Sequence, residues 1–248
     1  MSEPARFPET PARDSRFRVV EQWSDMVNLP DGHPEKPNEF LHRQMNEEAN
    51  VLENAARSLA QFPEAEWEIR KWLARQCADE ARHVEVYRKL LERRGGRVGQ
   101  YPVMNFQYRI LGRIDSLLGR LAVQNRTFEA DGLDAAVFGA GEARSEGDLE
   151  LALVYESQSA DEVLHVRFAN EYIRRKIVED GRNALRMAAA LTQGARAFEQ
   201  VFAGGGTAVT KYGIAEQARL EAGFAPQEVR VAVEQSEARR RSVREGPK

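Results

Sequence analysis

The sequence predicts an all-α protein, a four-helix bundle with an N-terminal extension and additional C-terminal helices. Three observations predict it. Apolar and small residues recur at steps of three and four through four long stretches, which is helix spacing. Nothing reads as a set of alternating strands. The chain has 248 residues, at the upper end for one domain and short for two, which favours one core with extensions.

Residues 1–37 hold six of the ten prolines, several charges and little periodicity beyond a patch around Phe17 to Val27. They are an extension expected to lie on the domain rather than build its core. Residues 38–203 are the expected bundle. In the first helix, Leu41, Met45, Leu52, Ala55, Leu59 and Phe62 form the stripe, and Pro63 interrupts it. A second helix is expected from about Glu64 to Arg94, with Leu73, Cys77, Val84, Tyr87 and Leu91 on one stripe and Gly95-Gly96 ending it. The third, from Tyr108 to Ala130, carries Ile114, Leu118, Leu121 and Phe128, and Gly139 to Gly147 is expected as a loop. The fourth runs from Asp148, its N-cap, to Val178. A fifth, Ala184 to Phe202, closes at Gly204-Gly205-Gly206. Residues 204–248 form a C-terminal helical extension, with two shorter helices on either side of Pro226 and a frayed basic end.

The formal net charge of -3, from 36 basic and 39 acidic residues, gives no global field that would concentrate nucleic acid or an anionic membrane. The single cysteine, Cys77, cannot form an internal disulfide, and MSEPARFPET lacks the apolar stretch of a secretory signal. A cytoplasmic location is the expectation. No run approaches the roughly 18 apolar residues of a membrane span, so no membrane partner is expected.

The chemistry lies in a repeat. Gln76-Cys77-Ala78-Asp79-Glu80-Ala81-Arg82-His83-Val84 is matched by Gln158-Ser159-Ala160-Asp161-Glu162-Val163-Leu164-His165-Val166, with six of nine positions identical. Within each copy, Glu and His three apart share a helix face and can bind one ion or neighbouring ions. Each copy follows a helix with an acid on its apolar stripe, Glu48 before the first and Glu129 before the second. The separations, 32 from Glu48 to Glu80 and 33 from Glu129 to Glu162, each suit a helix, a turn and an antiparallel return. Glu48 fits its stripe better than its neighbour Glu47, and Glu142 and Glu156 are rivals of Glu129 if the helix boundary is misplaced.

Four buried carboxylates without compensation would cost several kcal/mol each, which two divalent cations remove. Glu48, Glu80, His83, Glu129, Glu162 and His165 offer the oxygen and imidazole donors that suit Fe(II) or Mn(II). A structural zinc site more often uses thiolates. His33 and His42 are read as non-ligands, Asp131 and Asp134 as turn or capping residues, and Trp72, Tyr155 and Tyr172 as core. Cys77 is read as a small buried filler. Gln76 and Gln158, one turn before the ligand glutamates, either line a cavity, hydrogen-bond to a ligand carboxylate or pack at the boundary.

One Glu from each of two helices plus Glu-x-x-His from each of two others is the ligand set of ferritin-like carboxylate proteins. Asp79-Glu80-Ala81-Arg82-His83 resembles the Asp-Glu-x-Arg-His signature of the bacterial multicomponent di-iron monooxygenases. The stretch LAVQNRTFEADGLD, Leu121 to Asp134, together with DEVLHV, is similar to an uncharacterised ferritin-like family known as DUF455. The likeness covers roughly residues 40 to 175. In the second copy Leu164 replaces the signature arginine and leaves the ligands intact.

The resemblance implies a ferritin-like bundle with two Fe ions, Mn/Fe or Mn/Mn pairs being open. It implies an oxidase or oxygenase that uses O2 on a small organic substrate, with an external electron donor and a homodimer as further expectations. It also implies that Asp79 accepts a hydrogen bond from His165, and Asp161 from His83, which would fix the imidazoles. Other readings are a ferroxidase or iron-storage protein, a hydroxylase of a transfer-RNA nucleoside, and a helical scaffold without metal. The nucleoside hydroxylase predicts a basic face, for which the sequence offers only Arg239-Arg240-Arg241. The scaffold would hold six aligned polar groups inside for no reason.

Overall fold

Pro37 in the first turn opens helix α1, Lys36–Gln61, where its missing N–H costs nothing. The computed structural model describes residues 7–202 and 212–245. It divides the chain into two units, Met1–Arg120 with Thr192–Gly206 and Leu121–Leu191 with Thr207–Lys248.

In the first unit, α1 packs along α2, Trp67–Arg93. The two run antiparallel: the Asn38 amide donates to the Arg94 carbonyl at one end, and Cys77 Sγ lies 3.7 Å from the Leu52 carbonyl further along. Steps of four and three bury Ile69, Leu73, Gln76, Glu80, His83, Tyr87 and Leu90 on one stripe of α2. A polar trio therefore interrupts an otherwise apolar seam. Short helix α3, Phe106–Gly112, also packs on α1.

The extension contributes β1, Val19–Val20, paired in parallel with β2, Val103–Met104. These two-residue strands were not expected, being too short to show an alternating pattern. Arg13 fixes the same segment to α1 through Glu53, at 2.6 and 2.9 Å, and through Asn46. Gly99 adopts a φ of +82°, and a Cβ there would lie 2.3 Å from the Arg16 carbonyl oxygen, so only glycine admits the extension so closely.

The third helix departs from expectation. The helical stretch breaks between α3 and α4, Leu117–Val123; α4 passes into a π-helical turn, Gln124–Phe128, and continues as α5, Glu129–Ser145. The expected loop from Gly139 is thus helical through Ser145. The glycines misled because each costs helix propensity, but Gly139 has a packing role. A Cβ there would lie 2.9 Å from Tyr155 Cε2, so its absence lets α5 approach α6, Leu149–Glu179. Asp148 caps α6 as expected, its carboxylate accepting from the Leu151 N–H at 3.1 Å.

Helix α7 spans Arg182–Phe202, and in the first unit its end stacks Phe198 and Phe202 against Trp23 and Phe106. The expected stop at Gly204-Gly205-Gly206 lies outside the described residues. Helix α8, Glu216–Glu221, precedes Pro226, and Pro226 itself is the first residue of α9, Pro226–Glu245, rather than a break between two helices. Arg239–Arg241 are helical, and residues 246–248 of the expected frayed end lie outside the described residues.

Three side chains of α6 grip the end of α8. Arg167 Nε donates to the Glu221 carbonyl at 2.8 Å, Asn170 Nδ2 to that of Ala222 at 2.9 Å, and Arg174 to that of Gly223. They satisfy carbonyls that a helix end leaves without an intrahelical partner. Ala222 also joins Ala130, Leu133 and Val166 in a fully buried apolar cluster. Among the described residues the protein is all-α apart from the one short parallel pairing.

Candidate metal-binding residues

The seam between α1 and α2 brings three of the predicted ligands together. His83 Nδ1 lies 2.9 Å from Glu80 Oε2 and 3.4 Å from Glu48 Oε2. The first contact follows from the three-residue spacing on α2; the second comes from the antiparallel register of α1.

The second unit repeats the pattern. Glu162 and His165 face inward from α6, with His165 Nδ1 3.3 Å from Glu162 Oε2, and Glu129 enters from the first residue of α5. Within each trio, every residue offers one donor atom within 4.8 Å of those of the other two. None of the six is more than 6 % exposed. Carboxylates and an imidazole nitrogen aimed together in a water-poor interior repel unless a proton or a cation lies among them. Each trio can hold a metal ion, and its mixed O and N donors fit a first-row divalent ion.

Glu47, the rival of Glu48, is only half-buried and lies 3.9 Å from Arg43. The rivals of Glu129 are occupied elsewhere: Glu142 accepts from Tyr212 Oη at 2.6 Å, and Glu156 from Arg144 Nε at 2.7 Å. His33 is exposed. His42 is fully buried, its Nε2 accepting from the Gly99 N–H at 2.8 Å, and burial pushes its pKa down to about 4.

Asp134 and Asp131 are not turn residues; both lie within α5 and bind Arg219. Tyr155 is buried, but Trp72 and Tyr172 are partly exposed and carry cations over their rings, Arg75 over the first and Arg175 over the second. Cys77 is likewise only partly buried.

Of the residues expected to support the ligands, Gln76 and Gln158 do touch carboxylates. Each donates through Nε2 to Oε1 of the glutamate four residues later, Glu80 and Glu162, at 3.4 Å. Asp79 is held on its own helix by Arg75 at 3.3 Å and Arg82 at 3.4 Å. Asp161 is partly buried, one residue before Glu162.

Sequence reasoning missed the π-turn. Gln124 Nε2 donates to Glu129 Oε1 at 2.7 Å, Asn125 Nδ2 to the His165 carbonyl at 3.2 Å, and Arg126 to Asn170 and Glu228. The five-residue step from Gln124 to Glu129 lies off an α-helical stripe, so only the π register makes them neighbours.

Among the described residues no helix is long and apolar enough to cross a membrane. Comparison with curated proteins and with solved structures gave no match. A family model described as "Protein of unknown function (DUF455)" matches residues 2–230, and the chain belongs to that family.

Proposed function

We propose that Glu48, Glu80 and His83, with Glu129, Glu162 and His165, hold a pair of iron ions in a ferritin-like four-helix arrangement. On this reading the protein is a non-haem di-iron oxidase or oxygenase that uses O2 to oxidise a small organic substrate. The observation that carries it is the duplication: each unit buries one stripe glutamate beside a Glu-x-x-His pair. A doubled half-site is what a ligand set for two ions requires.

When bound, the metal pair supplies the electrons that reduce O2. The chain's own residues do the rest. Burial of the six donors excludes bulk water and strengthens their hold on a cation. Gln76 and Gln158 orient Glu80 and Glu162, and the pairings of Asp79 with His165 and Asp161 with His83 belong to this proposal. An external electron donor and a homodimer accompany it.

The test is anaerobic reconstitution with Fe(II), metal analysis and exposure to O2. About two iron ions per chain are expected, with O2 consumed and a transient visible absorption on mixing. Tight zinc with no response to O2 would reject the oxygenase. Large hollow assemblies seen by light scattering would replace it with iron storage.

A further inference from the structure

We infer that glutamine amides limit three of the four ligand carboxylates, those of Glu80, Glu129 and Glu162, to one oxygen each toward a cation, and that Gln124 does so for Glu129 by means of the π-turn. The inference rests on the metal-binding reading above and deepens it. Gln124 Nε2 lies 2.7 Å from Glu129 Oε1, a short hydrogen bond between buried groups that are 5 % and 4 % exposed. Gln76 and Gln158 make the same contact, at 3.4 Å, to Oε1 of Glu80 and Glu162. In both of these glutamates the other oxygen, Oε2, faces the histidine Nδ1.

The recurrence is notable because the spacing differs. On α2 and α6 the glutamine precedes its glutamate by four residues, the ordinary contact distance on an α-helix. Before Glu129 the step is five, and the chain adopts an i→i+5 turn over Gln124–Phe128, which restores the contact. A π-turn is an irregularity that a helix does not adopt for its own sake. Here it keeps the amide on the carboxylate.

A carboxylate with one oxygen held by an amide donor does not readily chelate a cation through both. Three such carboxylates fill fewer coordination positions than three chelating ones, and sites that act on small molecules keep positions open. Gln124, Gln76 and Gln158 are therefore positioning residues that keep room at the metals.

The experiment loads the full-length protein with Co(II) alone, anaerobically, and compares wild type with Gln124→Met, which keeps length and removes the donor. Thr127→Val is the control within the turn, because among the described residues Thr127 Oγ1 donates to the Ala122 carbonyl, at 3.1 Å, and to no ligand carboxylate. Gln158→Met tests the same idea on regular α6 and decides the matter if Gln124→Met does not fold. Released chelation raises the coordination number, so visible absorption per bound cobalt should fall by half or more in the glutamine variants at unchanged stoichiometry. Thr127→Val should match wild type.

Glutamine variants with the wild-type spectrum would overturn the inference while leaving the metal reading intact. An equal change in Thr127→Val would overturn it too, since the effect would then belong to the turn. Wild type that binds no cobalt or iron would remove the metal reading itself.

Discussion

Arg219 on α8 and Asp134 on α5 form a buried ion pair, with Nη2 2.6 Å from Oδ2 and both side chains under 9 % exposed. Asp134 also accepts from the Ala215 N–H at 2.9 Å, and Arg219 reaches Asp131 at 2.9 Å. One carboxylate thus ties the start of α8 to the helix that supplies Glu129.

Breaking that pair from one side leaves a charge buried. Arg219→Met is expected to destabilise the protein by about 3–5 kcal/mol, read from urea unfolding. Arg219→Met combined with Asp134→Leu should recover a large part of the loss. A double variant as unstable as the single one would show that packing, not the stranded charge, sets the cost.

The glycines of α5 should respond in opposite directions. Gly139→Ala pushes a methyl against the Tyr155 ring and should cost about 1–3 kcal/mol. Nothing lies within 4 Å of a Cβ at Gly141, so Gly141→Ala should gain about 0.5–1 kcal/mol from helix propensity. Thermal melts of the two variants should move apart. If both melt lower, the open space at Gly141 is not what its surroundings indicate.

His42 makes stability depend on pH. Its pKa falls from the usual 6.5 to about 4 because burial disfavours the charged ring. Between those values the unfolded chain binds a proton that the folded one refuses, so stability rises with pH across that window. This contribution is whole above about 6.5 and lost progressively toward 4. His42→Gln should therefore flatten the unfolding midpoint plotted from pH 7 to pH 4. Parallel curves for variant and wild type would exclude His42 as the source.

Glu80→Ala and Glu162→Ala should each lower bound metal while helicity, read by circular dichroism, stays largely intact. Both residues are buried donors, and neither terminates a helix. Full metal content in both variants would refute the ligand assignment.

The helices and the buried Glu-x-x-His pairs were legible in the sequence for one shared reason. Stripes on α1 and α2 repeat every three or four residues, and the Glu-x-x-His pairs lie on that period, so periodicity placed both the helices and these four residues on buried faces. Asp148 was visible because an N-cap favours a short polar side chain at one place, just before the helical stripe begins. Gly139 was misread because a glycine that admits a neighbouring ring looks the same in sequence as one that ends a helix. The link between Gln124 and Glu129 was invisible for a related reason: a π-turn adds one residue to the helical step, and a search at the α period passes over it. Arg219 could not be matched to Asp134, since a pair 85 positions apart leaves no local trace.

The grip of Arg167, Asn170 and Arg174 on the end of α8 has a mechanical consequence. These residues climb α6 at steps of three and four, and each meets a successive rung of the other chain segment. A rod clasped at three rungs cannot slip along its axis or roll without losing all of them together. The first rung is only two positions beyond His165, so the C-terminal segment is fastened to α6 within a turn of His165. Loss of all three bonds would free the end of α8 while leaving α6 its own backbone ladder.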